Sequence, residues 1–459
     1  MPSARAWCSR AVTSFALLPL FLAACEGSPG PVGPDSEPAG AHAGGGGGPT
    51  VKSTDPVSSP RNATLDVRVL GSGFKADAEA TWALKGDTSY ATTRIRTNST
   101  RFVSSTELIA NITISPDAPL ELYDVVVTLR TPGKKGIGLE LFEVTYEQID
   151  LGFGAGSQAY DVNGAGQIVG WGIGPGGVRA LMWENGVVTD LGVLPGMTDA
   201  FAFGINELGH VVGSSWRMEN GVAFESGFLW TPSGGMVALG TLGGRSSQAT
   251  AVNDVGDVVG RAMPAGSTVY HATLWRGGVA TDLHVGQGES WATDVNNGGV
   301  VVGVIDAGLR RSFRWTDSGG LQFLFAPGTR YGDGATGIDA LGRIVGFAEP
   351  SPGQAPRGYL WTDGVVQTVP TDAESYALAV HAEGGVVGHH LQGIGGGRKS
   401  KTVMVYTAYT WGGVGTPSNL MGERRPANAH AYAVNGRGWI VGTADFGPTE
   451  ARAVLWKLR

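Results

Sequence analysis

An all-β protein, a ring of seven four-stranded repeats behind a small β-sandwich, is what three features of this sequence predict. Glycine is counted at 75 in 459 residues, above twice its usual share and without a collagen period, which calls for many tight turns between short strands. Few stretches offer ten good helix formers on a 3.6-residue stripe, and glycine interrupts nearly all of them. A phrase of eight residues, Asn-x-x-Gly-x-x-Val-Gly, returns seven times with a period near 45, the length a four-stranded propeller blade requires.

Charge and cysteine usage narrow the partners. The net charge is -7 and no extended basic face or tail is present, so nucleic acid is not an expected partner. The two cysteines, Cys8 and Cys25, both lie in the first 25 residues. The folded body therefore has no disulfide and no thiolate metal site, and its stability must come from packing.

The N-terminus reads as an export signal. Arg5 and Arg10 give a positive start, and Ala11 to Leu22 is an apolar run of twelve residues. That run is too short to span a bilayer, which needs about 20 residues, but suits a signal-peptide core. It ends in Leu22-Ala23-Ala24-Cys25, which resembles the lipobox of bacterial lipoproteins. The resemblance implies cleavage after residue 24 and acylation of Cys25, giving a membrane anchor in the cell envelope. Several acyl chains on one residue anchor stably, since each buried CH₂ adds about 0.8 kcal/mol. Glu26 as second mature residue favours, by the same resemblance, the outer membrane. Residues 25–50 are a Gly/Pro-rich tether, including the run Gly44 to Gly48, too polar to bury a core.

Residues 51–146 alternate with period two. Leu65-Asp66-Val67-Arg68-Val69-Leu70 leads into Gly71-Ser72-Gly73-Phe74, and Leu108 to Ile114 and Tyr123 to Thr128 follow. Strands at this spacing suggest a sandwich of about a hundred residues. The Gly-Ser-Gly-Phe turn, Phe102-Val103-Ser104-Ser105-Thr106 and the Tyr-Asp-Val strand resemble the IPT/TIG immunoglobulin-like family. That likeness implies a spacer module and no chemistry.

Residues 147–459 hold the repeats. The phrase runs Asn163/Gly166/Gly170, Asn206/Gly209/Gly213, Asn253/Gly256/Gly260, Asn296/Gly299/Gly303, Asp339/Gly342/Gly346, His381/Gly384/Gly388 and Asn435/Gly438/Gly442. Asn opens a type I turn by capping its own backbone, and Gly three residues on accepts a left-handed conformation. An Ala stands four positions before each Asn (159, 202, 249, 292, 335, 377 and 431), so the first strand is small on one face, as a crowded axis demands. One Trp follows each phrase, at 183, 230, 275, 315, 361, 411 and 456. Burying a Trp removes about 150–250 Å² from water, about 4–6 kcal/mol at most, so this column reads as core, set over the Val-Gly of a neighbouring strand where a missing side chain leaves room. The chain reaches Leu455-Trp456-Lys457-Leu458-Arg459 one strand short of a seventh blade. Glu147-Gln148-Ile149-Asp150-Leu151 is like Val188-Thr189-Asp190-Leu191 and supplies the missing strand across the seam, removing both edges. The Ile-Asn, Val-Val-Gly and Leu-Trp segments, with Leu239-Gly240-Thr241-Leu242-Gly243-Gly244, resemble the HAF family of bacterial extracellular repeats. That resemblance implies an extracytoplasmic place and transfers no activity.

Function is expected on the face that carries the variable loops between second and third and between fourth and first strands. Its longest loop is read as about His389 to Tyr406, with His389, His390 and Arg398, and other loops offer Trp171, Trp216, Arg245, Trp291, Arg310, Arg330, Tyr331 and Arg424. Aromatic faces beside Arg suit sugars or anionic polymers. The expected function is thus a binding lipoprotein of the envelope, for a polysaccharide or protein ligand, with no cofactor or metal. No nucleophile elbow, His-Glu-x-x-His or phosphate loop stands in a fitting context, so no enzyme is expected. The alternatives are a carbohydrate-active propeller enzyme using paired carboxylates among Asp199, Glu225, Glu289, Asp333, Asp372 and Glu374, and a purely structural envelope component. Adjacent His389 and His390 point oppositely on an extended segment and do not make a metal site.

Overall fold

The computed structural model describes residues 48–87, 94–130, 133–325, 331–351, 353–371, 373–381, 383–394, 403–413, 417–420, 428–445 and 450–457. Among these residues every regular element is a strand. Cys25, Arg330, Arg398, Arg424 and Asp372 lie outside the described residues.

The first unit comprises β1 (Thr50–Asp55), β2 (Ser58–Pro60), β3 (Thr64–Ser72), β4 (Ala78–Leu84), β5 (Ile95–Ser104), β6 (Glu107–Ile114), β7 (Leu122–Leu129) and β8 (Lys135–Thr145). They form two four-stranded sheets, ordered β1-β3-β6-β5 and β2-β8-β7-β4. The alternation in β6 places Leu108, Ala110, Ile112 and Ile114 in one core with Trp82 and Phe142, whose rings meet edge-on at 6.1 Å. Gly71 has no room for a Cβ, which would meet the Thr50 carbonyl and the Phe74 ring, so the Gly-Ser-Gly-Phe turn is fixed by close backbone approach.

Tyr146 alone separates β8 from β9 (Glu147–Asp150). Behind it the chain makes seven successive four-stranded antiparallel sheets among the described residues. Sheet 1 shows the plan, with strand a Gln158–Val162, b Ile168–Gly174, c Gly177–Glu184 and d Val187–Asp190. Sheets 2 to 6 span 199–238, 243–282, 289–323, 331–368 and 375–419. Sheet 7 joins Ala429–Val434, Ile440–Asp445 and Ala451–Lys457 to β9 as its fourth strand, with Leu455 opposite Ile149 and Trp456 opposite Gln148. The a strands touch one another in sequence, and that of sheet 7 touches that of sheet 1, so they form a closed inner circle. The fold is all-β and propeller-like.

Each seam between sheets is filled by one apolar cluster. The Trp of strand c meets the second valine of the preceding sheet's phrase: Trp275 with Val212, Trp361 with Val302, Trp411 with Val345, Trp456 with Val387 and Trp183 with Val441. Trp230 and Trp315 pack likewise, half-buried, against the clusters of Val169 and Val259. The Trp column is core and lies against the valine of a neighbouring sheet's Val-Gly step, but not in room left by the glycine. A Cβ on Gly213, Gly346 or Gly388 would strike the carbonyl of strand a and the ring two residues before the Trp (Phe228, Tyr359 or Tyr409). Glycine stands there because space is already taken.

Two series of side-chain hydrogen bonds bind sheet to sheet. At the end carrying the a–b turns, Asn163 Nδ2 donates to Asn206 O (3.0 Å), Asn206 to Asn253 O (2.9 Å), Asn253 to Asn296 O (3.0 Å), Asn296 to Asp339 O (3.0 Å) and Asn435 to Asn163 O (2.9 Å). The Oδ1 of the same Asn caps its own turn, as at Asn206, which accepts from Leu208 N and His210 N. Aspartate cannot donate, and at Asp339 the neighbouring Arg343 replaces the amide: its Nε binds Asp339 Oδ2 at 2.6 Å and its Nη2 reaches His381 O at 3.0 Å. All seven third-position glycines have φ between 72° and 90°, as the turn requires. Toward the opposite end, Ser157, Ser247, Ser290 and Ser375 accept from backbone N–H groups of the preceding sheet (Ala453, Gly227, Ala272 and Gly358) at 2.8–3.1 Å. These two series satisfy backbone donors and acceptors at the seams.

Candidate functional site

Each a strand carries a register shift immediately after its alanine, at Ala159, Ala202, Ala249, Ala292, Ala335, Ala377 and Ala431. The alanines are fully buried, whereas the residues on either side of them, and the residue after each recurrent glycine, vary from sheet to sheet. These three positions line the inner circle. They produce two unlike walls.

One wall is aromatic and continuous through five sheets. Phe347 of sheet 5 meets Tyr376 of sheet 6 at 5.0 Å, Tyr376 meets His389 at 5.1 Å, and His389 meets His430 of sheet 7 at 4.4 Å. His430 stacks on Tyr432 (6.1 Å), Tyr432 meets Tyr160 of sheet 1 (5.2 Å), and Tyr160 meets Phe203 of sheet 2 (5.4 Å). Phe203 stacks on Phe201, which touches Trp171 at 5.4 Å and Trp216 at 6.1 Å. Trp171, Phe201, Phe347 and Tyr406 keep half-exposed faces. Glu374 Oε1 accepts from both Tyr376 OH (2.9 Å) and Tyr406 OH (2.8 Å), holding the two phenols together.

The other wall, from sheets 3 and 4 with a contribution from sheet 2, is polar. The Arg261 side chain is 0% exposed, lies 4.3 Å over the Tyr270 ring and 4.0 Å from Glu289, and has no hydrogen-bond partner at Nε, Nη1 or Nη2. Glu225 accepts from Gln248 Nε2 (3.1 Å) and Tyr270 OH (3.2 Å). Burial pushes the Glu225 carboxyl up, and the positive charge of Arg261 opposes that shift. Gln248 Oε1 has no partner, nor do His389 Nδ1 and His430 Nδ1 on the aromatic side. Unpartnered buried polar atoms are rare, and here four side chains share one layer.

Deeper along the circle, two residues after the alanine, five sheets carry Gly or Ala and two carry Asp161 and Asp294. Each carboxylate accepts from the next N–H of its own strand and from the following sheet, Ile205 N for Asp161 and Ile338 N for Asp294, all at 2.8 Å. Protein surrounds both carboxyls, although neither residue is fully buried. Desolvation raises Asp161 to about 6 and Asp294 to about 7, and Asp161 also raises Asp294 by repulsion. The imidazoles go the other way: desolvation lowers His430 to about 4 and holds His389 well below its usual value.

The residues expected on loops are on strands. The segment read as a loop from His389 to Tyr406 begins and ends inside a long hairpin, Val386–Ile394 and Val403–Trp411. Of its described polar side chains, His389 faces the inner circle, against Tyr376 and His430. Trp171, Trp216, Trp291, Arg310 and His389 all sit on strands near the inner circle. Trp291 is buried with Arg310 at 6.0 Å over its ring, and Arg310 pairs with Asp306 at 3.3 Å. His390 points away from the circle and stacks on Tyr409, and Arg245 lies exposed at the start of its strand, so neither joins the site. Tyr331 opens a strand, but its side chain is outside the described residues. Among the carboxylates, Asp199 accepts from Val178 N and Thr198 OH, and Asp333 from Ser312 N; both serve as seam fasteners. Sequence reasoning missed Tyr160, Phe201, Phe203, Gln248, Arg261, Phe347, Tyr376, Tyr406, His430 and Tyr432. Comparing the repeats column by column, one residue to either side of the alanine, points to most of them.

No family model matches the chain, and no curated protein matches it. Among solved structures it is similar to the acylaminoacyl peptidase of Pyrococcus horikoshii, at 9% identity and a TM-score of 0.38 over 86% of this chain and 57% of that one. It is similar to TolB from Acinetobacter baumannii at 10% identity and a TM-score of 0.35, over 56% of this chain and 62% of that one. A DUF4784 family protein from Bacteroides caccae follows at 9% identity and a TM-score of 0.24, over 87% and 94%. The chain spans less than two thirds of the first two proteins, and likenesses at these scores carry no argument about this one.

Proposed function

We propose that this chain is a cell-envelope lipoprotein that binds a glycan or anionic polymer at one end of a seven-bladed β-propeller. In this reading Cys25 carries the anchor, residues 25–50 are the tether, and the first two sheets are an immunoglobulin-like IPT/TIG spacer. The observation that carries it is the pairing of a continuous aromatic wall with a wall of unpartnered polar atoms around one circle. Ligand sites combine apolar lining with a few converging polar groups, and here both are set by rigid strands. Catalysis is not part of the reading: Asp199 and Asp333 fasten seams, Glu225 is held by Gln248 and Tyr270, Glu374 by Tyr376 and Tyr406, and Glu289 lies beside Arg261.

A glycan array probed with the full chain purified in detergent tests it, together with product analysis of every ligand retained. Retention without product release supports a binding module. Product release abolished by Glu225→Gln replaces the reading with a carbohydrate-active enzyme, and no retention, with no ligand shifting the melting temperature, replaces it with a structural component. Fatty-acid labelling lost in Cys25→Ser tests the anchor.

A further inference from the structure

Resting on the binding reading, we propose that the end of the inner circle opposite the a–b turns takes an uncharged, hydroxyl-rich saccharide, its apolar face on the aromatic wall and its hydroxyls on the polar wall. Charge balance separates this from an acidic ligand. Arg261 is already flanked by Glu225 and Glu289, so a ligand carboxylate or sulfate would be a third anion around one guanidinium. Arg310 is matched by Asp306, and Arg217 by Glu219 at 2.9 Å. Further down the axis stand only the carboxyls of Asp161 and Asp294 at positions that are Gly or Ala elsewhere. A polyanion gains most from unpaired cations, and Arg261, Arg310 and Arg217 each already have an acidic neighbour.

A sugar hydroxyl both donates and accepts, and the unpartnered atoms require both. Arg261 offers only donors, Gln248 Oε1 accepts only, and each His Nδ1 can do either according to tautomer. The half-exposed rings of Trp171, Phe201, Phe347 and Tyr406 give flat surfaces for the axial C–H face of a pyranose. Because the polar atoms are sealed from water, these rings make first contact and the hydroxyls follow.

The test titrates the full chain in detergent with neutral hexasaccharides of glucose, mannose, xylose and galactose, and with oligogalacturonate and heparin. At least one neutral oligomer is expected to bind with an affinity that changes less than about twofold between about 50 and about 500 mM salt. Trp171→Ala should weaken it by about tenfold or more and Glu289→Gln by about threefold to tenfold, with Phe201→Leu replacing Trp171→Ala if that variant does not fold. Binding of the anionic oligomers alone, falling steeply with salt, overturns the neutral-ligand inference and leaves the binding reading standing. Unaltered neutral binding in Trp171→Ala and Phe201→Leu overturns the location. Binding of neither class sinks the binding reading itself.

Discussion

The two ends of the ring obey different rules. At the a–b turn end, one amide does the same two jobs in sheet after sheet, and every third-position glycine keeps the same hand. At the other end, the position just before the alanine is Gln158, Phe201, Gln248, Trp291, Gly334, Tyr376 and His430 in turn. Columns that touch a neighbouring backbone are fixed by lack of space: alanine in the inner circle, glycine under the strand a carbonyl, valine against the next tryptophan. Columns that face the axis meet no such wall and are free to differ. Uniformity in this molecule marks the scaffold, and variety marks the positions that face the axis.

The contrast can be broken most severely at the seam. Removing Glu147 to Leu151 takes away the fourth strand of sheet 7 and bares Val454 to Lys457 as an edge, so loss of cooperative unfolding and aggregation are expected. Unchanged melting by calorimetry would refute the closure. Next in size is Trp456→Ala, which empties a fully buried site and should cost about 3–5 kcal/mol in urea unfolding, whereas Trp171→Ala on the half-exposed wall should cost less than half as much.

The axis differs from the turn end in its response to acid. His430 and His389 are held neutral when folded, so the unfolded chain takes up more protons as pH falls from about 6.5 to about 4, and His430 alone withdraws about 3 kcal/mol of stability over that window. Asp161 and Asp294, raised to about 6 and about 7, act in the opposite sense: the folded state takes up their protons first, and stability grows as pH falls from about 7 toward about 4. The parent profile should therefore be shallow, and His389→Gln/His430→Gln should become relatively more stable on acidification. Equal slopes for the two proteins in urea midpoints at pH 4 to 7 would discard this account.

The smallest effects sharpen the turn end. Asn206→Asp keeps the cap but loses the bond to Asn253 O, a cost of about 1–3 kcal/mol, and adding His210→Arg should recover part of it by copying the Asp339–Arg343 arrangement. His381 accepts from Glu383 N but, among the described residues, gives no amide to Asn435, so His381→Asn should add about 0.5–1 kcal/mol. A double variant no more stable than Asn206→Asp would show that Arg343 is not the substitute donor.

The all-β class was legible because glycine content and strand spacing are properties of the whole chain. The core was legible in part. The Trp column announced burial, yet its true neighbour, the valine one sheet back, depends on how sheets lean together and not on strand order. The Asn was read as a turn cap, while its second bond, about one repeat away, has no local signature. The site was least legible. Loop reasoning reached Trp171, Trp291 and His389 for the wrong structural reason and passed over Arg261, because polar residues on a strand next to the axis look like loop residues.

The strand that completes sheet 7 is made first, and its partner about 300 residues later, as the ion pair of Arg452 with Asp150 (2.8 Å) shows. A chain made from its N-terminus presents this strand long before anything exists for it to pair with. Circularisation is then the final event of assembly, a long-range contact of the slow kind. With only Tyr146 between, and that ring packed against the cluster of Trp456, traction on the N-terminal unit would be delivered straight to the clasp. A tug on the N-terminal unit is thus felt first where the circle was last sealed.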